Sequence, residues 1–280
     1  MSDIRPTRPL ARYHGGKWKL ADWIIGHFPA HHIYVEPFGG AASVLLKKER
    51  SYAEVYNDLD GEMVSLFRVA RDQVGALASL LELTPFARDE FVLSYEKSPN
   101  SLEQARRTLA RSFMGFGSAA ASCQATGFRA NSNRSGTTPA HDWANYPEAF
   151  RLTAARLRGV VIENRDASQV MTQHDSTETL FYVDPPYVAN TRDKGSDYLH
   201  EMTDADHRAL ASFLRALRGM VVVSGYPGSL YDELFQGWTR VEKAAFADGA
   251  RPRIEVLWLN PAASIALAVQ ASQLSLLEPA

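Results

Sequence analysis

The sequence predicts an α/β fold: an open parallel sheet covered by helices and interrupted by an inserted, mainly helical and loop segment. Strand-like and helix-like stretches alternate in the first quarter of the chain, and short unbroken apolar runs return after residue 160. Between them lies a long polar stretch with no hydrophobic period.

Taken in order, Ile33-Tyr34-Val35 is a β-branched and aromatic run ending at Glu36-Pro37, and it reads as the first strand. The Gly39-Gly40 turn leads into a helix-like stretch from Ala41 to Lys48. Tyr52 to Tyr56 is a second strand candidate, ending at Asn57-Asp58, and Glu62 to Val69 is a second helix. Leu81 to Tyr95 reads as helical pieces and Arg106 to Phe113 as another helix. Met114 to Asn145 is rich in Gly, Ser, Ala, Asn and Thr and shows no period; a stretch of that length without one is usually functional or disordered. Val160-Val161-Ile162, Leu180 to Val183 and Val221-Val222-Val223 each have the composition of a strand buried on both faces. Leu210, Phe213, Leu214 and Leu217 mark one face of a helix between the last two, and Glu255 to Leu259 supplies a further strand. The pattern places a discontinuous α/β domain at 1–66 plus 157–280, with 67–156 as the insertion. The tail from Ala262 to Ala280 is apolar-leaning but broken by Ser, Gln and Glu. It reads as a surface helix or a loose end, with a membrane or partner anchor as the alternative.

Composition excludes several classes. A chain of 280 residues that is 45% hydrophobic and 22% charged is neither disordered nor fibrous. Its net charge is −2, so a nucleic-acid site must be a local patch. Residues 101–156 offer one, with seven arginines against three acids. The single cysteine, Cys123, excludes an intramolecular disulfide framework and a cysteine-rich zinc site, and it fits a reducing, cytoplasmic setting. Met1 to Pro9 has no apolar run and does not read as a signal peptide, and no stretch is long and apolar enough to predict a spanning helix. His31, His32, His141, His174, His200 and His207 show no metal-ligand spacing, so no metal is expected.

Asp184-Pro185-Pro186-Tyr187 directly follows the run Leu180 to Val183. In an open parallel sheet ligands bind outside the carboxyl ends of strands. Prolines carry no N–H, which leaves carbonyls at Pro185 and Pro186 facing outward. A carboxylate, a free carbonyl and an aromatic face together suit a planar ring bearing an amino group. The alternative is a tight loop with a helix-capping Asp and a packing Tyr. Glu36-Pro37-Phe38-Gly39-Gly40 also leaves a strand and enters a helix, and its glycines allow a ligand close to the backbone. It is not the dinucleotide-binding glycine fingerprint. Asp58, about twenty residues on, ends the second strand, where an acid commonly accepts hydrogen bonds from ribose hydroxyls; a helix N-cap is the alternative. Arg12-Tyr13-His14-Gly15-Gly16-Lys17-Trp18 offers a cation at Lys17, or is simply a solvated turn.

In this order the blocks Tyr13 to Lys17, Glu36 to Gly40, Asn57-Asp58 and Asp184 to Tyr187 resemble the Dam-like class of adenine-specific DNA methyltransferases (D12 class, alpha-type motif order). The shorter phage and prophage members are the nearest in pattern, and the resemblance runs from about Arg12 to Asn260. It implies a Rossmann-like sheet that binds S-adenosylmethionine, with the insertion as the target-recognition part. It implies that Tyr13 and Lys17 serve the methionine end of the cofactor. Glu36, Phe38, Gly39 and Gly40 would line its pocket, and Asp58 would hold the ribose. It assigns the adenine amino group of the cofactor to Asp166, for which a helix N-cap is the alternative. Asp184, Pro185, Pro186 and Tyr187 would form the catalytic tetrapeptide that receives an adenine flipped out of double-stranded DNA.

Arg129, Asn131, Asn133 and Arg134 have the chemistry to read bases, since arginine pairs with guanine and asparagine with adenine. Arg111, with Arg106 and Arg107, could instead contact phosphates. Trp143 and Tyr146 could stack on bases or form a small core. Ser224-Gly225-Tyr226 lies near the active-site rim by family position, or is a simple strand-to-helix turn. An RNA or cytosine N4 methyltransferase, or a silent DNA-binding scaffold, are the competing readings. Monomer and dimer are both open.

Overall fold

The computed structural model describes residues 6–13, 15–117, 126–131, 136–191, 200–247 and 251–277. Along these residues the chain forms α1 (Ala21–Ile25), β1 (Ile33–Glu36), α2 (Ser43–Lys47), β2 (Ala53–Asn57), α3 (Gly61–Asp72) and α4 (Val74–Leu83). There follow α5 (Arg88–Leu93), α6 (Ser101–Met114), α7 (Pro139–Ala144), α8 (Tyr146–Arg156), β3 (Val160–Glu163), α9 (Ala167–Gln173) and β4 (Thr179–Val183). The last elements are α10 (Asp204–Ala216), β5 (Met220–Gly225), α11 (Ser229–Leu234), β6 (Thr239–Ala247), β7 (Arg251–Leu259) and α12 (Pro261–Leu277).

The strands form one sheet in the order β3-β2-β1-β4-β5-β7-β6. β1 is parallel to β2 on one side and to β4 on the other, and β4 is parallel to β5. β7 closes the series antiparallel to both β5 and β6. The chain therefore leaves β1 in one direction to reach β2 and returns on the other side at β4. That reversal opens a crevice at the carboxyl ends of β1 and β4, where sheets of this kind bind ligands. The predicted α/β class and Rossmann-like sheet match this architecture.

The residues group into two compact units. The first comprises Met1–Trp18, Gly40–Lys47 and Asp60–Ile162; the second comprises Lys19–Gly39, Lys48–Leu59 and Glu163–Ala280.

The second unit has a core of strand residues Val35, Val55, Phe181, Val183, Val221, Val223, Val256 and Trp258. These pack with Val170 and Met171 of α9, Ala211 and Leu214 of α10, and Tyr231, Phe235 and Trp238. Every residue of β4 and β5 is buried, as their unbroken apolar runs require. Each such side chain contributes about 1.5–3 kcal/mol of transfer free energy. The sequence reading found only Glu255 to Leu259 of the last hairpin. β6 escaped it because its exposed positions carry Arg240, Glu242 and Lys243, which dilute the apolar signal of an outer strand. The short helices α1, α9 and α11 were missed too; at five to seven residues they are too brief to show a helical repeat.

The first unit is helical. Asp60 caps α3 by accepting hydrogen bonds from the backbone N–H groups of Glu62 and Met63, and Asn100 caps α6 in the same way. Trp143 and Tyr146 lie buried and nearly parallel, ring centres 5.9 Å apart, with Phe113 against both. They are part of the buried core of this unit. The stretch read as aperiodic contains α7, a six-residue helix started by Thr138 and Pro139, again too short to declare a period. Cys123 lies outside the described residues. Among the described residues no helix is long and apolar enough to cross a membrane, and the predicted tail is the helix α12.

Candidate active site

In the second unit β1, β4 and β5 are largely apolar along their length, and polar residues stand at or just after the strand ends. β1 ends in Glu36, β2 in Asn57 with Asp58 next, β4 is followed by Asp184, and β5 ends in Ser224-Gly225. Val183 pairs with Val223, so the next residues, Asp184 and Ser224, emerge side by side. The Ser224 hydroxyl donates to Asp184 Oδ1 at 2.6 Å, and the Tyr182 hydroxyl lies 3.1 Å from Ser224 Oγ. Tyr182 and Ser224 are both fully buried. Tyr34 repeats the arrangement on β1, donating to Glu36 Oε2 at 2.7 Å. Each tyrosine stands two residues before its acid, on the same face of a strand.

Tyr187 is also buried, and its hydroxyl donates to Glu255 of β7, itself 3% exposed. The Tyr187 ring meets Tyr226 edge to face at 4.7 Å, and the Arg253 guanidinium lies 5.6 Å from the Tyr226 ring. Burial pushes the Tyr182 and Tyr187 hydroxyls far above the usual phenol range, and the Asp184 charge pushes them further. Burial, followed by the Glu36 charge, does the same to Tyr34. All three stay neutral donors. Beside this cluster, a cavity of about 760 Å³ is lined by Val188, Thr191, Tyr226, Tyr231, Arg253 and Ile254 among others.

The loop after β1 passes so close to β2 that only glycine fits at 39: a Cβ there would lie 2.2 Å from the Tyr56 ring. The Gly39 N–H donates to the Asn57 carbonyl at 2.8 Å. Asn57, completely buried, ties the strand-end loops together. Its Nδ2 donates to the carbonyls of Pro37 (2.9 Å) and Arg165 (3.0 Å), and its Oδ1 accepts from the Arg165 N–H at 2.9 Å. Asp58 follows, half-buried, and its carbonyl accepts from Asn164 at 2.7 Å. The cap of α3 is Asp60. Asp166 is exposed and does cap a helix: its Oδ1 accepts from the Ser168 N–H at 2.9 Å. The structure thus brings Glu36, Phe38, Gly39, Asp58, Asp166 and the Asp184-Pro185-Pro186-Tyr187 segment into one unit, on loops that leave the sheet.

Tyr13, Lys17 and Gly40 belong to the first unit. Lys17 is buried, with its ammonium 2.8 Å from the Gly15 carbonyl. Gly40 has φ 47°, and a Cβ there would come within 3.1 Å of the Tyr13 ring.

Of the arginines expected to meet DNA, Arg111 is corrected by the structure. It is 1% exposed; its Nη1 donates to the Ser94 carbonyl at 2.7 Å and its Nη2 pairs with Glu62. A guanidinium so enclosed holds helices together and does not contact a phosphate. Arg106 is enclosed by Glu90 (2.6 Å) and Glu103 (2.7 Å), and Arg107 bonds Glu103 at 2.7 Å. The two arginines hold the Glu103 carboxyl down at about 2. Arg129 remains partly exposed, its Nη1 on the Phe113 carbonyl at 3.0 Å, and Asn131 is exposed. Arg8, Arg12 and Arg129 line a cavity of about 240 Å³ with Phe113 and Asp142. Asn133 and Arg134 lie outside the described residues.

Sequence reasoning passed over Tyr182 and Glu255, gave Asn57 no role beyond its place in the Asn57-Asp58 block, and left Ser224 between a rim residue and a plain turn. The Tyr-x-acid spacing of Tyr34-Glu36 and Tyr182-Asp184 was a readable signal for two of the hydroxyls. Glu255 carried none, because only the pairing of β7 with β5 brings it to Tyr187.

A family model described as D12 class N6 adenine-specific DNA methyltransferase matches residues 13–246. The chain is 31% identical over 110 residues to a DNA adenine methylase of Serratia marcescens, covering 38% of this chain and 40% of that protein. It is 32% identical over 68 residues to DNA adenine methylases of Escherichia coli (strain K12) and Salmonella typhi, covering 24% of each chain. The aligned stretches thus span well under two thirds of those relatives.

Proposed function

Since the chain belongs to the D12 class N6 adenine-specific DNA methyltransferases, we propose that it transfers a methyl group from S-adenosylmethionine to the N6 amino group of an adenine flipped out of a short sequence in double-stranded DNA. The observation that carries this reading is Asp184: a strand-end carboxylate, held by Ser224 and followed by two prolines and a tyrosine, beside the reversal of strand order.

The cofactor fits the residues present. Asp58, half-buried directly after β2, suits ribose hydroxyls, and Asp166 remains the proposed partner of the cofactor's adenine. Glu36, Phe38, Gly39 and Gly40 are proposed for the cofactor pocket, and Tyr13 and Lys17 for the methionine end. When bound, S-adenosylmethionine supplies an electrophilic methyl group on a positively charged sulfur. The chain's own residues prepare the nucleophile. An adenine amino nitrogen is weakly nucleophilic because its lone pair is delocalised into the ring. Asp184 and the Pro185 carbonyl accept its two hydrogens, which favours a pyramidal nitrogen with its lone pair aimed at the methyl. Such alignment can supply up to roughly 7–11 kcal/mol. Extruding the base costs about a few kcal/mol. Segment 67–156 is the proposed target-recognition region, with Arg129, Asn131, Asn133 and Arg134 as its readers.

The test is incubation of the purified protein and S-adenosylmethionine with a plasmid lacking adenine methylation, followed by single-molecule mapping of modified bases. Methylated adenines confined to one short motif are expected. Modified cytosines, or no modified base despite cofactor binding, would overturn the reading.

A further inference from the structure

A hydrogen-bonded series runs beneath Asp184, and its direction can be worked out. Ser224 has one hydroxyl proton, and that proton is committed to Asp184 Oδ1 at 2.6 Å, since a carboxylate only accepts. The contact of 3.1 Å between Tyr182 and Ser224 is therefore a donation from the phenol to Ser224 Oγ. The order is Tyr182 O–H to Ser224 Oγ, then Ser224 O–H to Asp184 Oδ1. Both donors are fully buried on the two central strands β4 and β5, whose register sets Ser224 beside Asp184. Phe28 closes the far side of Tyr182, ring centres 5.6 Å apart. A serine hydroxyl is otherwise a free rotor, and an aspartate at the start of a loop has two side-chain torsions to lose. Donation from Tyr182 fixes the rotor, and the rotor fixes the carboxylate.

We infer that Ser224 and, through it, Tyr182 are positioning residues that lock the Asp184 carboxylate in the orientation that receives the substrate amino group. This rests on the reading of Asp184 proposed above. Only one carboxylate oxygen is used by this series. Neither donor is ionic. A misplacement of about 1 Å in such a group costs roughly 10²-fold in rate.

The experiment measures single-turnover methyl transfer at saturating S-adenosylmethionine and duplex DNA, together with dissociation constants for both. It uses wild type, Ser224→Ala, Tyr182→Phe and the double variant, each checked by thermal unfolding. Ser224→Ala is expected to slow transfer by about 10–100-fold and to leave both dissociation constants within about twofold. Tyr182→Phe should slow it less, by about 3–10-fold, and the double variant should be no slower than Ser224→Ala alone. A purely structural role would change binding and stability without this split. A wild-type rate in Ser224→Ala overturns the inference, as do losses that multiply in the double variant. Should Ser224→Ala fail to fold, Tyr182→Phe alone decides, and an unchanged rate there overturns it. An inactive wild-type protein overturns the methyltransferase reading itself, and this inference with it.

Discussion

The carboxylates at the sheet ends and the arginines of α6 are both charges taken out of water, but they are held in opposite ways. Asp184, Glu36 and Glu255 each accept a bond from a hydroxyl: Ser224, Tyr34 and Tyr187. Arg106, Arg107 and Arg111 are bound by carboxylates: Glu90, Glu103 and Glu62. A hydroxyl orients an acid without bringing an opposite charge to it. A carboxylate on a guanidinium cancels the charge and uses its donors. The comparison teaches that charge counted along the chain does not equal charge available. The basic excess of 101–156 pointed to DNA, but Arg106, Arg107 and Arg111 are committed to the helices of the first unit.

The largest effect that could break this contrast comes from Arg111. Arg111→Ala takes the guanidinium away from Glu62 and should cost about 3–5 kcal/mol of stability, read from urea unfolding. A stable Arg111→Ala protein with weakened DNA binding would return Arg111 to the DNA surface. Next, Asn57→Ala removes the clamp between the loops after β1 and β3 and leaves buried backbone groups unsatisfied. It should cost about 2–3 kcal/mol and weaken cofactor binding together with stability. Asp58→Ala sharpens the contrast between the two neighbouring acids. It should weaken S-adenosylmethionine binding by about tenfold, or about 1.4 kcal/mol, with little change in unfolding, whereas Asp60→Ala should destabilise α3 by about 1 kcal/mol. Calorimetry and unfolding on the two variants would separate them, and equal effects would refute the division of labour.

The smallest effect is Glu103→Gln. The Glu103 carboxyl is held at about 2 in the folded protein against an ordinary 4.5. A lowered folded value means its stabilisation is present above about pH 4.5 and is lost as pH falls toward about 2. The Gln variant should be slightly less stable at neutral pH and lose less between those limits; identical acid curves would show that the pair contributes nothing.

The sheet was legible because β1, β4 and β5 are buried on both faces, and their sequences are apolar without interruption. The tetrapeptide after β4 was legible because an acid and two prolines at a strand end have few other uses. Asp58 and Asp166 looked alike in sequence, since both follow a strand and precede a helix. Only cap geometry separates them: Asp166 bonds Ser168, while the cap after Asp58 is Asp60. The enclosure of Arg111 was not legible, because Glu62 stands far from it in the chain and only the packing of α3 on α6 brings them together.

The central claim is that the Asp184 carboxylate, oriented by Ser224 and through it by Tyr182, receives the substrate amine. Asp184→Asn tests it most directly, since the amide keeps the shape and loses the charge. Single-turnover methyl transfer to duplex DNA should fall by at least about 10²-fold, with S-adenosylmethionine binding retained within a few-fold. Transfer at the wild-type rate by Asp184→Asn would contradict the account.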